Sequence, residues 1–116
     1  MSLTLTPSVL EAAYEFLKAT TKEFGGLPDG DTIKFRVTNA RSYKGEHCDR
    51  GGGDHEIAIS GLQVGHTNNF LAVLAHEMIH LHAVLSCMAT SNPHDAEFHK
   101  IADKVCKIHE FDRLTF

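Results

Sequence analysis

The sequence predicts an α+β fold: an N-terminal helix, a short twisted sheet of about three strands, a long central helix and a C-terminal helix. Three observations predict it. Apolar residues recur at three- and four-residue spacing around 7–24, 68–88 and 93–109, the period of an amphipathic helix. They alternate in 32–38 and again in 56–60, the period of a strand. The punctuating clusters Gly25-Gly26, Pro28-Asp29-Gly30 and Gly51-Gly52-Gly53 fall between these segments rather than inside them.

Each element has local reasons. Thr6 can cap the first helix, Pro7 to Phe24, and Pro7 suits its first turn. Val9, Leu10, Ala13, Phe16 and Leu17 share its apolar face, and Gly25-Gly26 ends it. Thr32 to Thr38 places Ile33, Phe35 and Val37 on one face of a strand. Residues 39–54 are polar and glycine-rich and read as a loop, with room for a short strand near Tyr43. Ile57 and Ile59 mark a second strand, Glu56 to Ser60. From Asn68 to about Met88 a long helix carries a core-facing stripe of Leu71, Leu74, Met78, Leu81 and Leu85. The last helix starts at Ser91-Asn92-Pro93, with Asn92 as cap and Pro93 in its first position, and runs to about His109.

The whole chain sets limits. Its 116 residues make one domain, 1–116, and a 42% hydrophobic content suffices for a core without cross-links. A net charge of −4 argues against unaided binding to a nucleic-acid backbone, which needs clustered cations. Arg36, Arg41, Lys44 and Arg50 do lie in one segment, but acids interrupt them and a solvated loop is expected. Cys48, Cys87 and Cys106 form neither a disulfide framework nor a C-x-x-C pair, so reduced thiols in a cytoplasmic protein are expected. Met1 to Leu10 lacks the pattern of a signal peptide, and no run is apolar enough to span a bilayer.

The chemistry concentrates in His76-Glu77-Met78-Ile79-His80. Helical residues four apart lie about 40° apart around the axis and about 6 Å apart along it. Two imidazoles so placed can share one zinc ion, and the adjacent Glu77 can act as general base. With 9 histidines in the chain, a shuffled sequence would contain the pattern roughly one time in twenty, so its context has to decide. Val73, His76, Glu77, His80 and Val84 share a helix face distinct from the core stripe, as a cleft-facing motif requires.

A catalytic zinc usually has three protein ligands and one open position. A third histidine six residues after His80 is excluded, because Ser86 stands there and Ala83 replaces the glycine that such a pattern needs. The remaining candidates are His94, Asp95, Glu97 and His99. In the last helix His94 lies in line with Phe98, Ile101 and Val105 and should point inward, whereas His99 falls well away from that stripe. His94 is therefore the third-ligand candidate, with Glu97 second.

Other groups weigh less. His47, Cys48, Asp49, Asp54 and His55 cluster in the glycine-rich segment, but match no spacing of a closed zinc site. Tyr43 reads as a packed or exposed tyrosine rather than an oxyanion donor. His82 lies roughly 200° round the helix from His80 and cannot join the same metal. Cys87 and Cys106 read as core thiols, and His66 and His109 as surface or cap residues.

The pentapeptide, followed by His94-Asp95-Ala96-Glu97-Phe98, resembles the SprT-like (Spartan) zinc metallopeptidase family, whose members carry H-E-M-x-H and then a third histidine in an H-G-x-x-F context. The resemblance covers roughly 56–109, and the first half matches in its helix-then-strand order. Asp95 stands where the family usually has glycine, and the cysteines do not form the ribbon found in many members. The Spartan role in cutting proteins crosslinked to DNA is therefore not carried over. The resemblance implies a small zincin-like domain, with His76, His80 and His94 as zinc ligands and Glu77 as base.

The expected activity is that of a hydrolase, a zinc-dependent endopeptidase acting on a protein or peptide. Glu77 would take the proton of the attacking water and pass it to the leaving amine. Strand Glu56–Ser60, read as an edge, would hold an extended substrate by backbone hydrogen bonds. The rival expectation is a non-catalytic, zinc-stabilised binding or regulatory module. Zinc-dependent hydrolysis of a non-protein amide would use the same groups.

Overall fold

The computed structural model describes residues 5–62, 67–88 and 90–116, without the side chains of Thr67 and Asn68. His66 and the first four residues lie outside that description. The fold is α+β: three helices and a three-stranded mixed sheet.

Helix α1, Pro7–Thr20, begins as expected, with the Thr6 hydroxyl accepting from the Val9 N–H at 3.1 Å. It ends four residues early. Thr20 turns its hydroxyl back on the Phe16 carbonyl at 2.7 Å, Thr21 is extended, and a 3-10 turn, Lys22–Phe24, buries Phe24. Leu10, Ala13, Tyr14 and Leu17 are buried, but Phe16 is exposed on the flank, beside His109.

Strands β1 (Ile33–Thr38), β2 (Gly45–Gly51) and β3 (Asp54–Ser60) take the order β1-β3-β2. β3 is parallel to β1 and antiparallel to β2. Two expectations change here. Much of the supposed loop 39–54 is a seven-residue strand, and Gly51, Gly52 and Gly53, all at positive φ, form its turn into β3. β2 has no apolar alternation to betray it, because one face looks into a polar cleft and the other carries charged and thiol groups. In addition, Glu56–Ser60 is not an edge: β3 is the central strand and is buried on both faces.

Ile33 and Phe35 of β1 and Ile57 and Ile59 of β3 form the sheet's core face. On the opposite face Glu56 is buried between Arg36 of β1 and Arg50 of β2, with Arg50 Nε at 3.0 Å. These two arginines are therefore strand residues committed to a carboxylate, not part of a solvated loop.

Helix α2, Thr67–Leu85, crosses the core with Leu74, Ala75, Met78, Ile79 and Leu81 buried. Its buried face is broader than the expected stripe, whose last member, Leu85, is exposed. Helix α3, Ala96–His109, buries Phe98, Ile101, Ala102, Val105 and Cys106 but leaves Ile108 exposed. It starts later than expected. Asp95 is the cap, accepting from the Phe98 N–H at 3.0 Å, while Asn92 and Pro93 belong to the preceding turn. The α3 helix ends at Glu110, whose left-handed backbone turns the chain back towards α2.

Candidate metal centre

His76 and His80 leave α2 one turn apart, with ring centroids separated by 5.0 Å. His94 comes from the turn before α3. It is not a helical residue, so the helix-phase reading does not apply to it, and it is exposed rather than inward in the core. A local device aims it instead. Asn92 Oδ1 accepts from the His94 N–H at 3.2 Å, and the Thr90 hydroxyl donates to Asp95 Oδ2 at 2.9 Å, fixing the turn from both sides.

The three rings converge. One nitrogen from each of His76, His80 and His94 lies within 4.8 Å of the others. His76 Nε2 and His94 Nε2 are 3.1 Å apart. Two ligands of a tetrahedral zinc, with bonds of about 2.0–2.1 Å, sit about 3.3 Å apart, so the His76–His94 pair already has nearly the spacing that the ion requires. Phe98 packs against all three rings, with centroids 4.8 Å from His76, 4.9 Å from His80 and 4.8 Å from His94. It forms an apolar floor that limits where the rings can go.

Burial, reinforced by the neighbouring imidazoles, lowers both His76 and His80 to about 4. Both rings are therefore neutral at pH 7, the state in which an imidazole offers a lone pair to a metal. Glu77 is buried in the cleft wall. Its pKa is raised to about 7, first by burial and then by Glu46, against the pull of the His47 backbone N–H. A carboxyl poised near neutrality suits proton transfer at physiological pH.

Two cavities meet at Glu77. One, of about 420 Å³, runs from Gly45, Glu46 and His47 on β2 to His80 and His94. The other, of about 240 Å³, lies between Lys44, Val73 and Phe116.

The other candidates separate cleanly. Glu97 is exposed on the first turn of α3 and does not join the triad, and both Asp95 oxygens are engaged. His99 accepts from Arg113 at 2.7 Å. His82 stays apart, as expected. His47 and His55 stack with nitrogens 3.1 Å apart, but Cys48 turns to Glu46 and Asp49 to the Gly51 N–H. Strand alternation thus scatters the supposed second metal cluster, and among the described residues only the His76, His80 and His94 group could hold an ion. The Tyr43 hydroxyl donates to Thr38, as a packed tyrosine would. Cys106 is buried, but Cys87 is exposed at positive φ past the end of α2 and is not a core thiol. His109 is half-buried and meets the Thr21 hydroxyl at 2.7 Å, joining α3 to the end of α1.

Three contributors escaped the sequence reading. Phe98 was visible as a core residue, but its contact with all three rings was not. Gly45 and the main-chain oxygen of Phe116 left no local signal, since their roles depend on chain segments far away.

The family model described as SprT-like family matches residues 13–114. The chain belongs to the SprT-like family. The match reaches well beyond the stretch around the motif and takes in the second half of α1 and the whole sheet. No curated protein matches the chain significantly. Within the matched stretch, His76 and His80 on α2 and His94 before α3 are brought together at one point.

Proposed function

We propose that this SprT-like domain is a zinc-dependent metalloendopeptidase in which His76, His80 and His94 hold zinc and Glu77 is the general base. The observation that carries the reading is the buried Glu77 carboxyl beside a convergent three-histidine group, at the junction of two cavities. A purely structural metal site has no use for a carboxyl held near neutrality in a cleft, which weighs against the non-catalytic module.

Zinc in this donor set would supply charge to polarise a peptide carbonyl and to lower the pKa of the attacking water towards ~7. The chain's own residues do the rest. Glu77 takes the proton of the attacking water and delivers it to the departing amine. The His47 backbone N–H steadies the Glu77 carboxylate. Phe98 keeps the imidazoles in place from below.

An extended substrate would lie along β2. This strand is an edge of the sheet and forms one wall of the cleft through Gly45, Glu46 and His47. The shallow, open cleft fits a protein or peptide segment better than a small molecule needing enclosure. Three free cysteines fit a reducing compartment such as the cytoplasm, and no described helix is long and apolar enough to cross a membrane.

The test is Glu77→Gln in the zinc-loaded protein. Zinc content should stay stoichiometric while hydrolysis of an unfolded protein substrate falls by at least about a hundredfold, as for loss of a general base. Undiminished hydrolysis in that variant would remove Glu77 from the mechanism.

A further inference from the structure

The structure assigns Phe116 a part in the metal centre as the positioning residue for His76, an inference that rests on His76 being a metal ligand. The His76 ring has two nitrogens in use. Nε2 faces His94 at 3.1 Å, and Nδ1 lies 2.9 Å from the main-chain oxygen of Phe116. That oxygen can only accept, so the proton of the neutral ring sits on Nδ1. The lone pair is then left on Nε2, on the side of the histidine group. Phe116 thereby selects the tautomer and the ring rotation that a shared ion needs.

The placement of that oxygen is itself built. The Phe116 ring packs on His76 with centroids 5.3 Å apart and stacks on Phe111 at 6.2 Å and an interplanar angle of 16°. Phe111 is buried, and its N–H donates to the Cys106 carbonyl at the end of α3. A continuous chain of contacts therefore runs from the α3 terminus through Phe111 and Phe116 to the first histidine of the motif, 40 residues away in sequence. The Phe98 ring also lies beside the Phe116 ring, with centroids 6.5 Å apart, so Phe98, Phe116 and the three imidazoles form one aromatic unit.

Two measurements on the full chain decide this. Heteronuclear NMR of the imidazole nitrogens in the metal-free protein should find His76 protonated on Nδ1. Competition with a chromogenic chelator should show zinc binding about 10–100-fold weaker when Thr115 and Phe116 are removed, the usual effect of losing such a partner. Phe116→Ala keeps the oxygen but loses the ring and should fall between, and Phe116→Leu should recover most of the affinity. A His76 ring protonated on Nε2, or unchanged zinc affinity after the truncation, overturns the role of Phe116 and leaves the metal reading standing. A full chain with no zinc affinity overturns both.

Discussion

Gly45 at the start of β2 and Val73 on α2 meet so closely that a Cβ on Gly45 would lie 2.6 Å from Val73 Cγ1. The same Cβ would be 3.2 Å from Glu77 Cγ. The edge strand can therefore reach the motif helix only because position 45 has no side chain. Gly45→Ala should destabilise the protein by about 1–3 kcal/mol through overpacking. It should also lower hydrolysis by pushing β2 away from Glu77. Urea unfolding and peptide hydrolysis check the two effects, and an unchanged unfolding midpoint would mean that the contact relaxes freely.

Phe98 is buried beneath all three imidazoles. Phe98→Ala should cost about 3–5 kcal/mol of stability, as for other buried aromatics cut to alanine. Phe98→Leu keeps an apolar plug and should retain more of the fold, yet bind zinc more weakly because the floor no longer fits the rings. Unfolding curves and zinc competition separate these outcomes. Native zinc affinity in a folded Phe98→Leu protein would reduce Phe98 to a core residue.

Asp95 caps α3 by accepting from the Phe98 N–H. Asp95→Ala should lose about 1 kcal/mol, whereas Asp95→Gly should lose only a few tenths, the usual order for helix caps. Both remove the tie to Thr90, so His94 should become more mobile in each. The unfolding midpoints test the ranking, and relaxation of the His94 ring signals tests the mobility.

Glu56 supplies an acid limb to stability. Hydrogen bonds from Arg36 and then Arg50 hold its carboxyl below the usual range, against the opposing effect of burial. A carboxyl depressed in the folded state stabilises fully above its unfolded pKa, about 4.3. That contribution disappears as pH falls through the lower folded value. Glu56→Gln should therefore be less stable than the parent at neutral pH and should show a flatter loss of stability below pH ~4.3. Denaturant midpoints across that range provide the comparison, and parallel acid limbs would assign the acid loss to other groups.

Much of the fold was written locally. Thr6 and Pro7 set the start of α1, the alternation of Ile33, Phe35 and Val37 marked β1, and the wide apolar content of α2 marked a helix that crosses the core. Where local signals competed, the nearer one won. Asp95, three residues before Phe98, captured the α3 cap from Asn92, and the Thr20-Thr21 pair ended α1 before its glycines. β2 was illegible because its residues serve the cleft and Glu56 rather than an apolar core, so the alternation that reveals strands was absent.

By itself the sequence determined the residues capable of the chemistry. Helical periodicity fixes His76 and His80 on one face with Glu77 beside them, since a four-residue spacing carries that geometry wherever the helix lies. Only the tertiary structure decided the rest. It brought His94 to the pair from a turn, set Phe98 beneath the rings, made β2 rather than β3 the edge beside the cleft, and placed the Phe116 oxygen on His76. These are contacts between segments distant in the chain. They exist because burying α2 against the sheet and α3 leaves one arrangement of those segments, and no local spacing encodes it.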